Sequence, residues 1–349
     1  MKDDARRLPV IVLTGFLGAG KSTLLSDLAA TSGLAGTAVL INEFGEVAVD
    51  HHLVEKIDES LVVLDSGCIC CSVRGDLVRA LKNLFQRAAR REIGPVERVL
   101  IETTGLADPA PVVYTLMKEP FIAARFFCDG VITAVDVTHI DAQLKKHRQA
   151  LSQVAMADRL LLTKCDLIAQ STRAGVAERL ARLNPAAPQI EIFDGKAPAG
   201  ALSGCGLYGA SAKRLDVVSW LGVSNSPTVA RYLPARMEER PHHRHDERVT
   251  SCVLVFDAPL DWLRFSETLE ALLAAHGEQV LRVKGLLNVA GDPRPRVVQC
   301  VQHAFYPPSN LSTWPTEGPY ADGRSRLVFI VQDLHPEEVA RWFADFMTP

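Results

Sequence analysis

The chain has 349 residues, 48% of them hydrophobic and 23% charged, with a formal net charge of -3. These values suit a globular protein long enough for two domains, and they exclude the strongly basic footprint of a nucleic-acid binder. No apolar run reaches the roughly 20 residues that a membrane-spanning helix requires.

Arg6-Arg7 followed by Leu8 to Leu17 imitates the start of a secretory leader. A phosphate-binding pattern opens inside that run and cleavage there would destroy it, so the reading is a cytoplasmic protein. The eight cysteines agree: Cys68, Cys70 and Cys71 are crowded and the other five scattered, a spacing suited to metal or thiol chemistry rather than a disulfide framework.

Pro9 to Leu13 reads as a buried parallel strand and Ser22 to Ala30 as a helix. Between them, Gly15-Phe16-Leu17-Gly18-Ala19-Gly20-Lys21-Ser22-Thr23 matches Gly, four residues, Gly, Lys, Ser or Thr. The glycines let the backbone N–H groups of Gly18, Ala19 and Gly20 curl toward phosphate oxygens, with the positive end of the helix dipole behind them. Lys21 is placed to reach the β- and γ-phosphates, and the hydroxyls of Ser22 and Thr23 lie at the phosphate end, Ser22 on Mg²⁺.

Thr37 to Asn42 is the next strand, ending at Glu43-Phe44-Gly45-Glu46. The polar segment that follows, through Asp50-His51-His52 to Ser60, occupies the position of nucleotide-dependent switch loops. Leu61 to Leu64 is a short strand leading into Gly67-Cys68-Ile69-Cys70-Cys71. Val73 to Arg91 is a helix with Val73, Leu77, Leu81, Leu84 and Ala88 on one face. Val99 to Ile101 is a strand closed by Glu102-Thr103-Thr104-Gly105, with a new helix after Pro109. Glu102 is the acid expected near Mg²⁺, and the Gly105 N–H can face a γ-phosphate.

Gly130 to Val135 and Arg159 to Leu162 are further strands, Thr172 to Leu183 a helix and Gln189 to Ile192 a last strand. The alternation predicts an α/β fold, a mostly parallel sheet covered by helices. Thr163-Lys164-Cys165-Asp166 ends the Arg159 strand. The Asp166 carboxylate can accept from both guanine N1–H and the exocyclic amine, while the Lys164 stem stacks over the phosphate loop. The usual first residue of that pattern is Asn, so Thr163 alters one supporting hydrogen bond. Ser211-Ala212-Lys213 resembles a final guanine-binding signature, though it is short.

From Asp194 to about Arg248 the pattern weakens, ending in a run with His242, His243 and His245. That run reads equally as a transient metal collector or a solvated linker. Strands at Thr250 to Phe256, Val280 to Val289, Pro295 to His303 and Arg326 to Val331, with helices at Leu260 to Ala275 and Pro336 to Met347, predict a smaller α+β C-terminal domain. The expected division is 1–200 for the nucleotide domain, 201–248 for the linker and 249–349 for the second domain.

Thiolates bind Zn²⁺ and other soft or borderline ions. In an extended segment Cys68 and Cys70 project to one face and Cys71 to the other, so three thiolates on one ion require the loop to turn. Two thiolates with an outside ligand, Glu46 or a residue near His51 and His52, are equally reasonable. No second cysteine pair closes a structural site, and an open position suits capture and release.

The phosphate loop, Asn42 to Glu46, Gly67 to Cys71, Glu102-Thr103-Thr104-Gly105-Leu106-Ala107-Asp108-Pro109 and Thr163 to Asp166 together resemble the CobW-type GTPases, metallochaperone relatives of the UreG and HypB proteins. Arg282 to Leu287 and Val298 to His303 resemble stretches of the CobW C-terminal domain. The resemblance implies slow GTP hydrolysis, with Lys21 and Glu102 in the catalytic machinery, coupled to holding Zn²⁺ or Co²⁺. The family's metal motif matches at Cys68, Cys70 and Cys71. It implies GTP and GDP as ligands and a client metalloprotein as partner, and it admits a homodimer. Family members serve zinc homeostasis, cobalt insertion for cobalamin synthesis and nitrile hydratase activation, and no residue here selects among them. Two other functions compete: a metal-buffering or sensing module with incidental nucleotide turnover, and a small-molecule kinase, against which the Lys164-x-Asp166 pattern argues.

Overall fold

The computed structural model describes residues 7–31, 33–41, 73–205, 229–231, 248–316 and 320–347. The chain divides into two compact units, Met1–Glu178 with Ala187–Leu215, and Arg179–Ala186 with Asp216–Pro349. Among the described residues no helix is long and apolar enough to cross a membrane.

In the first unit, β1 (Leu8–Thr14), β2 (Thr37–Ile41), β3 (Arg98–Glu102), β4 (Phe126–Asp136), β5 (Arg159–Thr163) and β6 (Gln189–Glu191) form one sheet in the order β2-β3-β1-β4-β5-β6. Every pairing in it is parallel. Val10 to Leu13 and all of β4 are buried, the continuous apolar pattern of strands covered on both faces. The helices are α1 (Lys21–Ala30), α2 (Val73–Ala89), α3 (Ala110–Lys118), α4 (Pro120–Ala123), α5 (Ile140–Lys146), α6 (Arg148–Met156) and α7 (Gln170–Leu183), the last of which counts with the second unit from Arg179 on. Leu24, Leu25 and Leu28 of α1 join Ile11, Leu13, Val39 and Leu100 of the sheet in one core cluster. Leu77, Leu81 and Leu84 of α2 are buried at the helical spacing the sequence predicts.

This strand order has a functional consequence. The chain leaves β1 toward one edge and later returns to place β4 on its other side, so a crevice opens beyond the carboxyl ends of the central strands. Register aligns Leu13 with Glu102, Thr14 with Thr133 and Asp136 with Thr163. The segments that follow β1, β3, β4 and β5 therefore emerge along one rim.

β4 begins at Phe126, not Gly130. Asp129-Gly130 looks like a turn in sequence, but here it sits inside the strand at a register shift against Val10 and Ile11. Gly130 has φ 154, and a Cβ there would lie 2.7 Å from the Cys205 Cβ, so the bulge depends on glycine.

The second unit is built on a sheet ordered β11-β10-β9-β13-β8-β7, with β12 against β10. Its strands are β7 (Val229–Arg231), β8 (Val249–Phe256), β9 (Val280–Val289), β10 (Asp292–Val301), β11 (Ala304–Phe305), β12 (Ser309–Asn310) and β13 (Ser325–Gln332). Helices α8 (Trp262–His276) and α9 (Pro336–Met347) supply Phe265, Leu269, Leu272, Val339 and Phe343 to a core shared with Val283, Leu287, Leu327 and Phe329. The third expected strand of this unit stops at Val301 instead of reaching His303. Gln302 takes φ 47, and the chain turns back into β11. The expected strand at 61–64 and helix at 216–221 lie outside the described residues.

Candidate functional site

The phosphate-binding loop follows β1 directly. Gly15 has φ 143, and a Cβ on it would stand 2.4 Å from the Ala134 carbonyl oxygen of β4, so no other residue fits. Gly18 and Gly20 take φ 73 and 83, and α1 begins at Lys21 with no side-chain cap and no acid in its first turn. That end of the helix suits an anion. Lys21 is 8% exposed, and its ammonium donates to the Gly15 carbonyl at 2.9 Å, which holds the charge at the mouth of the loop. Ser22 and Thr23 are exposed beside it.

The end of β3 is tied to the end of β1. The Thr103 N–H donates to the Leu13 carbonyl at 2.9 Å, and the Thr103 hydroxyl meets that of Thr14 at 2.8 Å. Glu102 is 5% exposed, one residue from that tie. A turn then runs from Thr104 to Ala107, closed by the Ala107 N–H on the Thr104 carbonyl at 3.0 Å. Gly105 is packed against the phosphate loop: a Cβ there would lie 2.6 Å from the Leu17 nitrogen.

On the base side, the Thr163 hydroxyl lies 2.8 Å from the Ala19 carbonyl and 3.1 Å from that of Val135. Threonine thus bonds the phosphate loop where the usual pattern has asparagine. Lys164 adopts φ 61, and its ammonium reaches Asp136 Oδ2 at 2.7 Å. Burial pushes the Asp136 carboxyl up, but hydrogen bonds from Lys164 and Thr138 outweigh it and hold the group below the usual carboxylate range. Asp166 is exposed, and its Oδ1 accepts from the Asp194 N–H at 3.0 Å. Cys165 between them is fully buried. Desolvation pushes its thiol up, so it is a packing residue rather than a nucleophile.

Gly18, Ala19, Gly20, Lys21, Ser22, Thr23, Glu102, Gly105, Lys164 and Asp166 are therefore carried by segments that open on one rim of the sheet. Glu46, Cys68, Cys70 and Cys71 lie outside the described residues, as do His51, His52, Ser211 to Lys213 and His242, His243 and His245. Among the described residues no group of three or more His, Cys, Asp or Glu side chains is gathered to hold a metal. The described cysteines are buried and carry no disulfide.

A family model described as CobW/HypB/UreG, nucleotide-binding domain, matches residues 9–191. The chain belongs to the CobW/HypB/UreG family. A second model, the cobalamin synthesis protein cobW C-terminal domain, matches residues 249–347. Within this family the chain is 35% identical to the zinc chaperone YjiA of Escherichia coli (strain K12), over 97% of this chain and 98% of that protein. It is 27% identical to the zinc-regulated GTPase metalloprotein activator 1 of Saccharomyces cerevisiae, over 86% of this chain and 76% of the relative. Among solved structures, Zn(II)-bound YjiA GTPase from E. coli superposes with a TM-score of 0.68 at 29% identity, covering 97% of this chain and 99% of that one. A Zn(II)-bound triple mutant of YjiA, with a glutamate and two adjacent cysteines changed to alanine, gives 0.69.

Two residues that shape this CobW-type site escape the motif reading. Asp136 ends a strand buried throughout, and its only sequence signal is a carboxylate closing a long apolar run. Asp194 uses its main chain, which leaves no side-chain signal. Its φ of 51, next to Gly195 at 72, belongs to the turn that brings its N–H to Asp166.

Proposed function

We propose that the protein is a GTP-hydrolysing metallochaperone acting in the cytoplasm. In this reading it takes up Zn²⁺ or a similar transition metal at the Cys68-Ile69-Cys70-Cys71 loop and hands it to a client metalloprotein. The observation that carries the nucleotide half is the rim itself. A phosphate loop with its lysine, a carboxylate at the end of β3 and the Lys164–Asp166 pair open along it, and together they suit a guanine nucleotide. Residues 1–200 are the GTPase domain in this proposal, 201–248 the linker and 249–349 the CobW-like C-terminal domain.

The roles divide by chemistry. The N–H groups of Gly18, Ala19 and Gly20 and the ammonium of Lys21 bind and orient the phosphates, and Lys21 offsets charge gathering on the γ-phosphoryl group. Gly105 offers its N–H to the γ-phosphate. Asp166 accepts from guanine, and Lys164 stacks over the loop. The hydroxyl of Ser22, with Thr23 beside it, and the carboxylate of Glu102 are hard oxygen donors, the class Mg²⁺ accepts. Mg²⁺, held there with the nucleotide, would supply positive charge that lowers the repulsion among the phosphate oxygens.

For the metal cargo, thiolates of Cys68, Cys70 and Cys71 with the Glu46 carboxylate make a mixed site suited to Zn²⁺. Glutamate and adjacent cysteines are also the residue types altered in the YjiA triple mutant. GTP would order the 43–50 segment against the cysteine loop, and hydrolysis would release both segment and ion.

The test is Zn²⁺ and Co²⁺ affinity by competition with a chromophoric chelator, with GTP, GDP and no nucleotide. The expected result is tighter binding with GTP alone, lost in Cys70→Ala. Equal affinity in all three states would leave a static metal buffer and remove the coupling.

A further inference from the structure

Gln153, on α6, belongs to no motif, yet it touches the turn on which the γ-phosphate contact depends. The residue is 1% exposed. The Nε2 amide donates to two carbonyls of that turn, Gly105 at 3.2 Å and Ala107 at 3.0 Å. Its own main-chain carbonyl accepts from the Thr133 hydroxyl at 2.7 Å. Thr133 is paired with Thr14 at the end of β1, so the anchor is fixed to the strand that launches the phosphate loop.

The amide orientation is determined by its surroundings. Turned over, its oxygen would face two carbonyl oxygens. In the orientation present, Oε1 is buried with no hydrogen-bond partner. An unsatisfied buried oxygen opposes folding and calls for a physical reason. The reason visible here is that both amide hydrogens are committed to the turn.

Planarity converts that grip into aim. In a trans peptide the N–H points opposite to the C=O. With the Gly105 and Ala107 carbonyls held on Gln153, the N–H groups of Leu106 and Asp108 face away from α6. The peptide carrying the Gly105 N–H is fixed through its Thr104 carbonyl, which closes the same turn on the Ala107 N–H. On its other side Gly105 lies close against the phosphate loop, where a Cβ would come 2.6 Å from the Leu17 nitrogen. The turn is thus clamped between the phosphate loop and one amide.

We infer that Gln153 is a positioning residue that seats the Thr104–Ala107 turn for contact with the γ-phosphate, and so sets the discrimination between GTP and GDP. The inference rests on the proposed role of Gly105. It is tested in the full chain with Gln153→Glu and Gln153→Met, two side chains of similar length that cannot grip both carbonyls at neutral pH. The readouts are kcat and KM for GTP hydrolysis, and affinities for GDP and a non-hydrolysable GTP analogue. Both variants should keep GDP affinity within about twofold of the parent, while kcat and analogue affinity fall about tenfold. Gln153→Glu alone should regain kcat relative to the parent as pH falls, because the protonated carboxyl donates again and burial raises its pKa.

An unchanged analogue-to-GDP ratio with unchanged kcat in both variants would overturn the inference. So would an equal loss of GDP affinity, which marks a purely structural role. Gly105→Ala separates the two levels. If it too leaves the ratio unchanged, the γ-phosphate reading of Gly105 fails. If it lowers the ratio while the Gln153 variants do not, only the role of Gln153 fails.

Discussion

At the scale of single residues, the proposed guanine selectivity depends on what holds Lys164 and Asp166 in place. Lys164 is held by Asp136, whose carboxyl lies below its ordinary range because Lys164 and Thr138 donate to it more strongly than burial opposes. Asp136→Asn keeps the shape and removes the charge. GDP and GTP affinities should both fall about tenfold, the worth of one charge-assisted hydrogen bond, in a fluorescent-nucleotide titration. The sign with pH follows from the lowered pKa. The contact is complete above the ordinary carboxylate value of about 3.9 and is lost only as pH falls through the lower folded value. Affinity should therefore not decline through protonation of Asp136 between pH 8 and pH 5, and a titration centred near pH 6 would refute this assignment. Thr163 was legible as a departure from the usual asparagine, but its bond to the Ala19 carbonyl was not. Asp136 and Lys164, like Gln153 and Gly105, are far apart in sequence; the β4–β5 register brings the first pair together, and the seat of α6 on β4 through Thr133 brings the second.

At the scale of elements, periodicity carried most of the fold. Strands β1, β4 and β9 were readable because burial on both faces leaves a largely apolar run, and the α2 stripe of Leu77, Leu81 and Leu84 because burial on one face leaves a helical period. The misses were local. Asp129-Gly130 imitates a turn while forming a bulge, and Gln302 ends a strand through backbone conformation rather than composition. Gly15 shows how tightly one such element is bound to another. Its φ of 143 and the 2.4 Å approach of a Cβ to the Ala134 carbonyl mean that alanine must pull the loop away from β4. Gly15→Ala should abolish measurable nucleotide binding and lower stability by about 2 kcal/mol, the combined scale of a strained backbone and an overpacked contact. Isothermal titration and thermal melting check the two parts separately. Retained nucleotide affinity would mean that the loop adapts without β4.

At the scale of the whole molecule, the two units carry different ionic chemistry, and this offers a way to tell them apart in solution. The residues proposed to bind nucleotide lie in the first unit. In the second, Arg326 and Arg324 grip Asp322, and Arg324 also reaches Asp257 at 2.9 Å. Hydrogen bonding from Arg326, opposed by modest desolvation, holds the Asp322 carboxyl far below the usual range. That stabilisation is present above about pH 4 and fades as pH falls toward the depressed folded value. Asp322 is largely solvated, so solvent screening limits its worth to about 1 kcal/mol. Asp322→Asn should therefore lower the melting of the second unit slightly at neutral pH and flatten its dependence below pH 4. GDP acts differently, because a ligand that binds only the folded first unit stabilises it by about 2.7 kcal/mol at one hundred times its Kd. Scanning calorimetry should resolve two transitions, one raised by GDP and unaffected by Asp322→Asn, the other shifted by Asp322→Asn and unmoved by GDP. A single transition that answers to both would show that the units unfold together, and that nucleotide occupancy reaches the C-terminal domain through shared stability.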